Sequence, residues 1–316
     1  MEMIRDFEDG QHVFCQLLVT QVDKCVTTQG RSYLNVTLQD STGSILGKKW
    51  DVFDGDLEVF KEGNIVAVEG EVLKYKGSLQ FKIISGAQVS VSDVDVTKFV
   101  PQAPVPREEL EKKLNGYIDS LKDEDLKKIV TYLINKFHDK YVIHPAAVRN
   151  HHNFASGLLY HSISMADLAE QVCKLYPKLN RDWVVAGTLI HDLGKTIELS
   201  GPIATKYTVE GNLVGHIAIM VSEIRMAAKE LGIEGEKLTL LEHMILSHHS
   251  KPEFGSPVPP LTREALALAM IDDFDAKMNV VDKAIENADL GSFTEKIFAL
   301  DGRAYYVPSY EKKNRE

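Results

Sequence analysis

The sequence predicts two domains in one chain, a small all-β barrel followed by an all-α helical bundle. Three observations carry this. The first hundred residues consist of short, alternating, β-branched segments. Beyond residue 107, apolar residues recur at intervals of three and four. Between the two parts lies "VPQAPVPRE" (100–108), with three prolines and no periodicity, which reads as a stiff, extended linker. The expected boundaries are therefore a barrel over 1–100, a linker over 101–106 and a helical region over 107–316. A chain of 316 residues is long enough for two cores of ordinary size.

The strands come first. "FCQLLVTQVDKCVT", "SYLNVTLQDSTGSILGKKW" and "NIVAVEGEVLKYKGSLQFKIISGAQV" hold four to six strand-length runs. Lys76-Gly77 suits a two-residue hairpin turn. About five strands in about 90 residues suggest an OB-fold, a small Greek-key barrel that binds single-stranded nucleic acid or oligosaccharide. "LNVTLQDSTGSILGKKWD" resembles the strand-turn-strand of nucleic-acid-binding OB-folds, with Asp40-Ser41-Thr42-Gly43 as the turn. Tyr33, Trp50, Phe53, Tyr75 and Phe81 could stack on bases. Lys48, Lys49, Lys74 and Lys76 could meet phosphates. An aromatic at a strand position more often fills the barrel. Tyr75 is the best exception, because alternation sets it opposite Lys74 and Lys76.

The helices follow. "REELEKKLNGYIDSL", "DEDLKKIVTYLINKFHDKYV", "GLLYHSISMADLAEQVCKLYP", "RDWVVAGTLIHDLGK", "LVGHIAIMVSEIRMAAKELG", "EGEKLTLLEHMILSHHS" and "LTREALALAMIDDFDAKMNVVDKAIEN" all carry helical periods. "ATKYTVEGNLV" breaks the pattern, and Val209-Glu210-Gly211-Asn212 reads as the turn of a small hairpin.

Bulk properties narrow the function. The net charge of −10 argues against broad duplex binding, which rests on many Lys and Arg contacts to phosphate. Cys15, Cys25 and Cys173 form no CxxC pair. They read as reduced thiols, and a cysteine zinc site is not expected. With no signal peptide and no apolar run of membrane length, the expected place is the cytoplasm.

The chemistry lies in "TLIHDLGK" (188–195), where a buried run delivers a histidine and an aspartate side by side. A buried carboxylate is costly unless paired or metal-bound, and imidazole and carboxylate both bind divalent ions. Further candidates are His161, His216, His248, His249 and Asp272, each inside or beside an apolar run. A lone buried histidine is usually a core residue. So many in one helical region, with carboxylates, point to a metal site built from several helices.

The order H…HD…H…HH…D resembles the HD superfamily of metal-dependent phosphohydrolases, whose helical bundle would cover about 140–285. The arrangement of barrel, linker and HD domain narrows the resemblance to the YhaM family of bacterial 3′→5′ exoribonucleases. It rests on "NHHNFASGLLYHSISM", "LIHDLGKTIEL", "GHI", "ILSHHSKPEFGSPVPP" and "EALALAMIDDFDAKMN". Two departures are Ser156-Gly157, where such proteins often have Gly-Gly, and Ser250, where a glycine often follows the His pair.

The resemblance implies one metal ion among His161, His191, Asp192 and Asp272. It implies a second held by His216 and one or both of His248 and His249, with Asp192 bridging. Two such ions stabilise attacking and leaving oxygens and activate water. Lys195 would neutralise a phosphate oxygen beside them. The family commonly uses Mn²⁺ or a similar ion, and Fe²⁺ and others suit the same donors. His151 and His152 could line the substrate path, Asp275 would support the site, and Asp273 should point away.

The implied function is hydrolysis of single-stranded RNA from its 3′ end, with single-stranded DNA as a further substrate. Tyr33, Trp50, Lys74, Tyr75 and Lys76 would hold the strand. No membrane partner is expected, and long terminal helices could support a homo-oligomer. The rivals are an HD phosphohydrolase for a small nucleotide and a noncatalytic RNA-binding regulator.

Overall fold

Alternation in the first hundred residues becomes five strands in the computed structural model, which describes residues 2–27, 30–147 and 154–310. These are β1 (His12–Val26), β2 (Ser32–Asp40), β3 (Gly43–Trp50), β4 (Ile65–Tyr75) and β5 (Ser78–Val89), with the one-turn helix α1 (Asp56–Val59) before β4. They close into a barrel in the order β1-β2-β3-β5-β4. Only β3 and β5 pair in parallel; the other neighbours are antiparallel. The long β1 serves both sides of the closure. Its first half pairs with β4, its second with β2, and the register shifts between Val19 and Gln21. Such a bulge lets one strand bend from one partner to the next.

Inward positions fill the barrel with Val13, Leu17, Leu34, Val36, Val68 and Phe81, while Phe60 follows α1 into the same core. Both proposed turns have a physical basis. Asp40 Oδ1 accepts from the backbone of Thr42 (2.7 Å) and Gly43 (3.2 Å), and its Oδ2 from Ile4 N (2.7 Å). Lys76 and Gly77 join β4 to β5 with φ of 49° and 90°, the left-handed pair that a two-residue type I′ turn requires.

The second unit is helical: α2 (Arg107–Ser120), α3 (Glu124–Tyr141), α4 (Gly157–Leu175), α5 (Arg181–Ile190), α6 (Lys195–Glu198), α7 (Val209–Val214), α8 (His216–Leu231), α9 (Glu236–Ser247) and α10 (Arg263–Glu286). Helix α5 is central and packs on α3, α4, α9 and α10. Its apolar faces let it do so: Val184, Val185, Ala186, Leu189 and Ile190 are all buried. Asn180 starts it by accepting from Asp182 N. Among the described residues no helix is long and apolar enough to cross a membrane.

The chain divides between Gln102 and Ala103, inside the proline-rich stretch; Ser200–Lys206 group with the first unit. Ala103 N donates to Ala155 O at 3.2 Å, and Val105 packs on the helical core. One local expectation fails. Residues 209–212 are not a hairpin turn but the start of α7. Thr208 caps this helix through Gly211 N at 2.9 Å. Six residues are too few for a helical period to show. An antiparallel bridge between Leu199 and Tyr207 lies just before the helix.

Candidate functional site

Helix α5 ends at Ile190, and a tight turn over His191–Gly194 leads into α6. His191 and Asp192 therefore face inward from the end of a buried helix, with 0% and 2% exposure. Five more side chains converge on them from other helices. His161 comes from the buried face of α4, and Asp272 from that of α10. His216 is the first residue of α8, and His248 and His249 follow α9.

The Asp192 carboxylate divides this cluster. Its Oδ2 lies 3.4 Å from His191 Nε2 and 3.8 Å from His161 Nε2. Its Oδ1 lies 3.4 Å from His216 Nε2 and 3.8 Å from His248 Nε2. Asp272 joins the first side, with Oδ1 3.1 Å from His161 Nε2 and 3.8 Å from His191 Nε2. Its Oδ2 is 4.0 Å from His249 Nε2. Two groups could each hold an ion, His161–His191–Asp192 and Asp192–His216–His248–His249.

Buried polar atoms need partners. His191 Nε2, Asp192 Oδ1, His216 Nε2 and His248 Nε2 are buried and have none. All four point into the same small space. The histidines are also held from behind through Nδ1, which orients each ring. Nδ1 of His191 lies 3.1 Å from Thr188 O, that of His248 2.7 Å from Ile245 O, and that of His249 2.7 Å from Phe254 O. Nδ1 of His161 lies 2.7 Å from Asp275 Oδ2, and Ser164 donates to the other oxygen of Asp275. Nδ1 of His216 lies 2.9 Å from Glu198 Oε1. This donor set fits a divalent cation.

Electrostatics are equally deliberate. Burial opposes the charge on Asp192, but Lys195 and His191 outweigh it and hold its carboxyl well below the usual range. Lys195 Nζ donates to Asp192 Oδ2 at 2.7 Å, and this carboxylate raises the lysine against its own burial. Burial would lower His161, yet Asp272 and Asp275 raise it to about 9. Burial lowers His248 and His249, which stay neutral and so keep a lone pair for a metal.

Glu198 is the functional residue that sequence reading missed. It accepts from both the backbone N and the ring of His216, each at 2.9 Å. Its only signal was its place one turn after Lys195. The two segments meet through backbone. A Cβ on Gly194 would lie 2.3 Å from His216 O, and one on Gly211 2.3 Å from Glu198 O. Asp273 points outward and pairs with Lys277 at 2.7 Å. His151 and His152 lie outside the described residues.

On the barrel, β2 and β3 bring Tyr33 opposite Trp50, with rings stacked 4.7 Å apart. Tyr75 reaches the same place. Lys48 Nζ stands over all three rings, 5.7 Å from Tyr33, 5.8 Å from Trp50 and 5.9 Å from Tyr75. Tyr75 is 54% exposed, and its turn carries Lys76 over the ring rather than away from it. Lys74 is exposed beside them. Phe81 is corrected: it is fully buried in the barrel, because it falls on the inward side of β5. Lys49 is corrected too, being buried and spent on Trp50 O and Asp56. Phe53 is exposed under Lys49.

Comparison with known proteins finds a family for each of the two units. The HD domain family matches residues 158–277, and an OB-fold nucleic acid binding domain family matches 18–93. Two structures of replication protein A domains from Methanococcus maripaludis align with 28% of this chain and 93% of their own, at 23% and 22% identity and TM-scores of 0.24. The second of these is described as the second OB-fold domain of that protein. A 3′-5′ exoribonuclease YhaM from Geobacillus sp. (strain WCH70) is 46% identical over 305 residues, which cover 96% of this chain and 94% of that protein. With a barrel and an HD-type helical bundle in the same order along nearly its whole length, the chain belongs to the YhaM family of 3′-5′ exoribonucleases.

Proposed function

We infer that this chain is a metal-dependent hydrolase that degrades single-stranded RNA from its 3′ end. The observation that carries this is the convergence of seven His and Asp side chains on one buried space, with four polar atoms unpartnered. The direction of attack and the RNA preference rest on the relative's name and on the nucleic-acid-binding barrel family. We assign His161, His191, Asp192 and Asp272 to one ion. We assign His216, His248 and His249 to a second, with Asp192 shared. Bound there, two divalent ions would act as Lewis acids on the phosphoryl group and lower the pKa of water.

The chain's own residues do the rest. Glu198 and Asp275 hold His216 and His161 in orientation. Lys195, kept protonated by Asp192, supplies a positive charge for a phosphate oxygen. Tyr33, Trp50 and Tyr75 offer faces for base stacking, and Lys74 and Lys76 offer charges for the backbone. Stacking and phosphate contacts do not distinguish ribose from deoxyribose, so single-stranded DNA is a second substrate. Mn²⁺ is the proposed ion on the strength of the family resemblance, and Fe²⁺ suits the same mixed imidazole and carboxylate donors. Three free cysteines support a cytoplasmic location.

The test uses 5′-end-labelled single-stranded RNA with Mn²⁺, with chelator, and with Asp192→Asn. Wild type with Mn²⁺ should give a ladder shortening from the 3′ end. Chelator should abolish it. Asn is nearly isosteric but neutral, so the variant should lose most metal and nearly all cleavage while still binding RNA. Full metal content and normal cleavage in Asp192→Asn would sink the assignment. Untouched RNA beside rapid hydrolysis of a free nucleotide would favour the small-nucleotide reading.

A further inference from the structure

Access to the buried site lies on the side of His249. Its side chain is 24% exposed, whereas the other six clustered side chains are 12% exposed or less. A phosphate that reaches the candidate ligands therefore passes His249, and the chain directly after it, residues 250–256, forms the rim there. This rim is a closed ring of backbone. His249 N donates to Ser256 Oγ at 3.0 Å, and Ser256 N donates to Lys251 O at 3.2 Å. Pro252–Phe254 make one 3-10 turn, held by Phe254 N on Lys251 O and Gly255 N on Pro252 O. Pro252 locks its own φ, and Gly255, at φ 100°, supplies the left-handed backbone that turns the chain back. A Cβ on Gly255 would lie 3.7 Å from Ile217 Cδ1, so the turn rests against the residue that follows His216.

Phe254 is the side chain this ring presents. Its carbonyl oxygen lies 2.7 Å from His249 Nδ1, while the residue is 63% exposed and joins neither apolar cluster of the helical unit. The backbone is thus tied to a candidate metal ligand, and the aromatic ring is given to solvent. One imidazole separates that carbonyl from the space the ions would fill, so the ring lies within a nucleotide's reach of it. Lys251, also exposed, holds its Nζ 5.8 Å from the ring centroid. An exposed ring beside an exposed cation suits a single strand, the base on the ring and the phosphate on the ammonium.

We propose that Phe254 is the stacking platform for the 3′-terminal base of the substrate, with Lys251 meeting the phosphate beside it. This rests on the exoribonuclease reading and adds to it the subsite that seats the end of the strand. A ring face reads the area of a base and not its hydrogen-bonding pattern. Every terminal base is therefore accepted, and purines are held better than pyrimidines, as suits an enzyme that advances through any sequence.

Two measurements on the full chain test this. The first needs neither metal nor cleavage. In chelator, RNA ending in a 3′ 2-aminopurine is titrated with protein. Wild type and Phe254→Trp should quench its fluorescence, and Phe254→Ala should leave it bright. The second is kinetic, with Mn²⁺. Phe254→Ala should raise KM about tenfold, with kcat falling less. Its metal content and melting temperature should stay those of wild type, because the carbonyl that holds His249 belongs to the backbone. On RNA ending in an abasic ribose, wild type should lose as much, and Phe254→Ala should add nothing further. Equal quenching by wild type and Phe254→Ala, an unchanged KM, or a loss that is the same on the abasic end overturns the proposal. Lost metal in Phe254→Ala overturns it too, since the ring would then act only as a support for His249. A wild type that cleaves no RNA defeats the exoribonuclease reading instead, and the titration in chelator still decides whether Phe254 stacks on the strand.

Discussion

Ser250 holds a left-handed backbone, φ 64°, directly after the His pair. For a residue with a Cβ this costs roughly 1–2 kcal/mol. Among the described residues its side chain makes no hydrogen bond in return, so Ser250→Gly should stabilise the helical unit by about 1 kcal/mol, or about 2–4 °C in Tm. Ser156 has the same conformation, φ 63°, with a different balance. Its Oγ donates to Val142 O at 2.7 Å in the buried interior, and losing such a bond costs about 0.5–1.5 kcal/mol. Ser156→Gly should therefore be nearly neutral. Thermal melts of both variants in chelator check this, and equal shifts would contradict it. These are the two positions at which the resemblance led one to expect glycine, and both fall on backbone that prefers it. Neither serine touches a ligand atom of the site. At this scale the sequence showed which residue types were unusual, but not that their conformation was the reason.

At the scale of an element, β1 buries Cys15 against the barrel core. Burial first, then Asp40 and Glu2, push its thiol up to about 12. An unfolded thiol titrates near 8.5, so between about pH 8.5 and 12 unfolding releases a proton. Barrel stability is whole below that window and falls through it, at up to about 1.4 kcal/mol per pH unit from this group. Cys15→Ala should remove that part of the alkaline slope while lowering stability at neutral pH. Urea titrations of both proteins at several pH values above and below 8.5 read the difference. Parallel slopes would show that the thiol ionises freely. The strands and helices themselves were legible because a period of two or of three to four is local information. The turns at Asp40–Gly43 and Lys76-Gly77 were legible for the same reason. What was illegible depended on distance in the chain. Glu198 meets His216 across 18 residues, and only its place one turn after Lys195 hints at it. Phe81 and Tyr75 share a hairpin, yet one is core and the other surface, a matter of register that composition does not carry. The short α7 left no periodic trace.

At the scale of the molecule, all seven clustered His and Asp side chains lie between positions 161 and 272, within one unit and around one core. A fragment of residues 103–316 should therefore fold, bind metal and cleave a small model phosphodiester. Without the barrel its activity on long RNA should fall steeply. Elemental analysis and both assays on the same preparation decide this, and an insoluble or metal-free fragment would refute the proposed boundary. The division of labour was legible from the proline-rich stretch and the change of period, though Ala103 and Val105 of that stretch belong to the helical core. One feature of that unit reaches beyond chemistry. At Gly194 and Gly211 the facing carbonyl oxygens stand 2.3 Å from where a first side-chain atom would be. Every missense change in a glycine codon adds at least that atom. Both codons are thus closed to drift: any replacement must push apart the turn after the His-Asp pair and the start of α8, or α6 and α7.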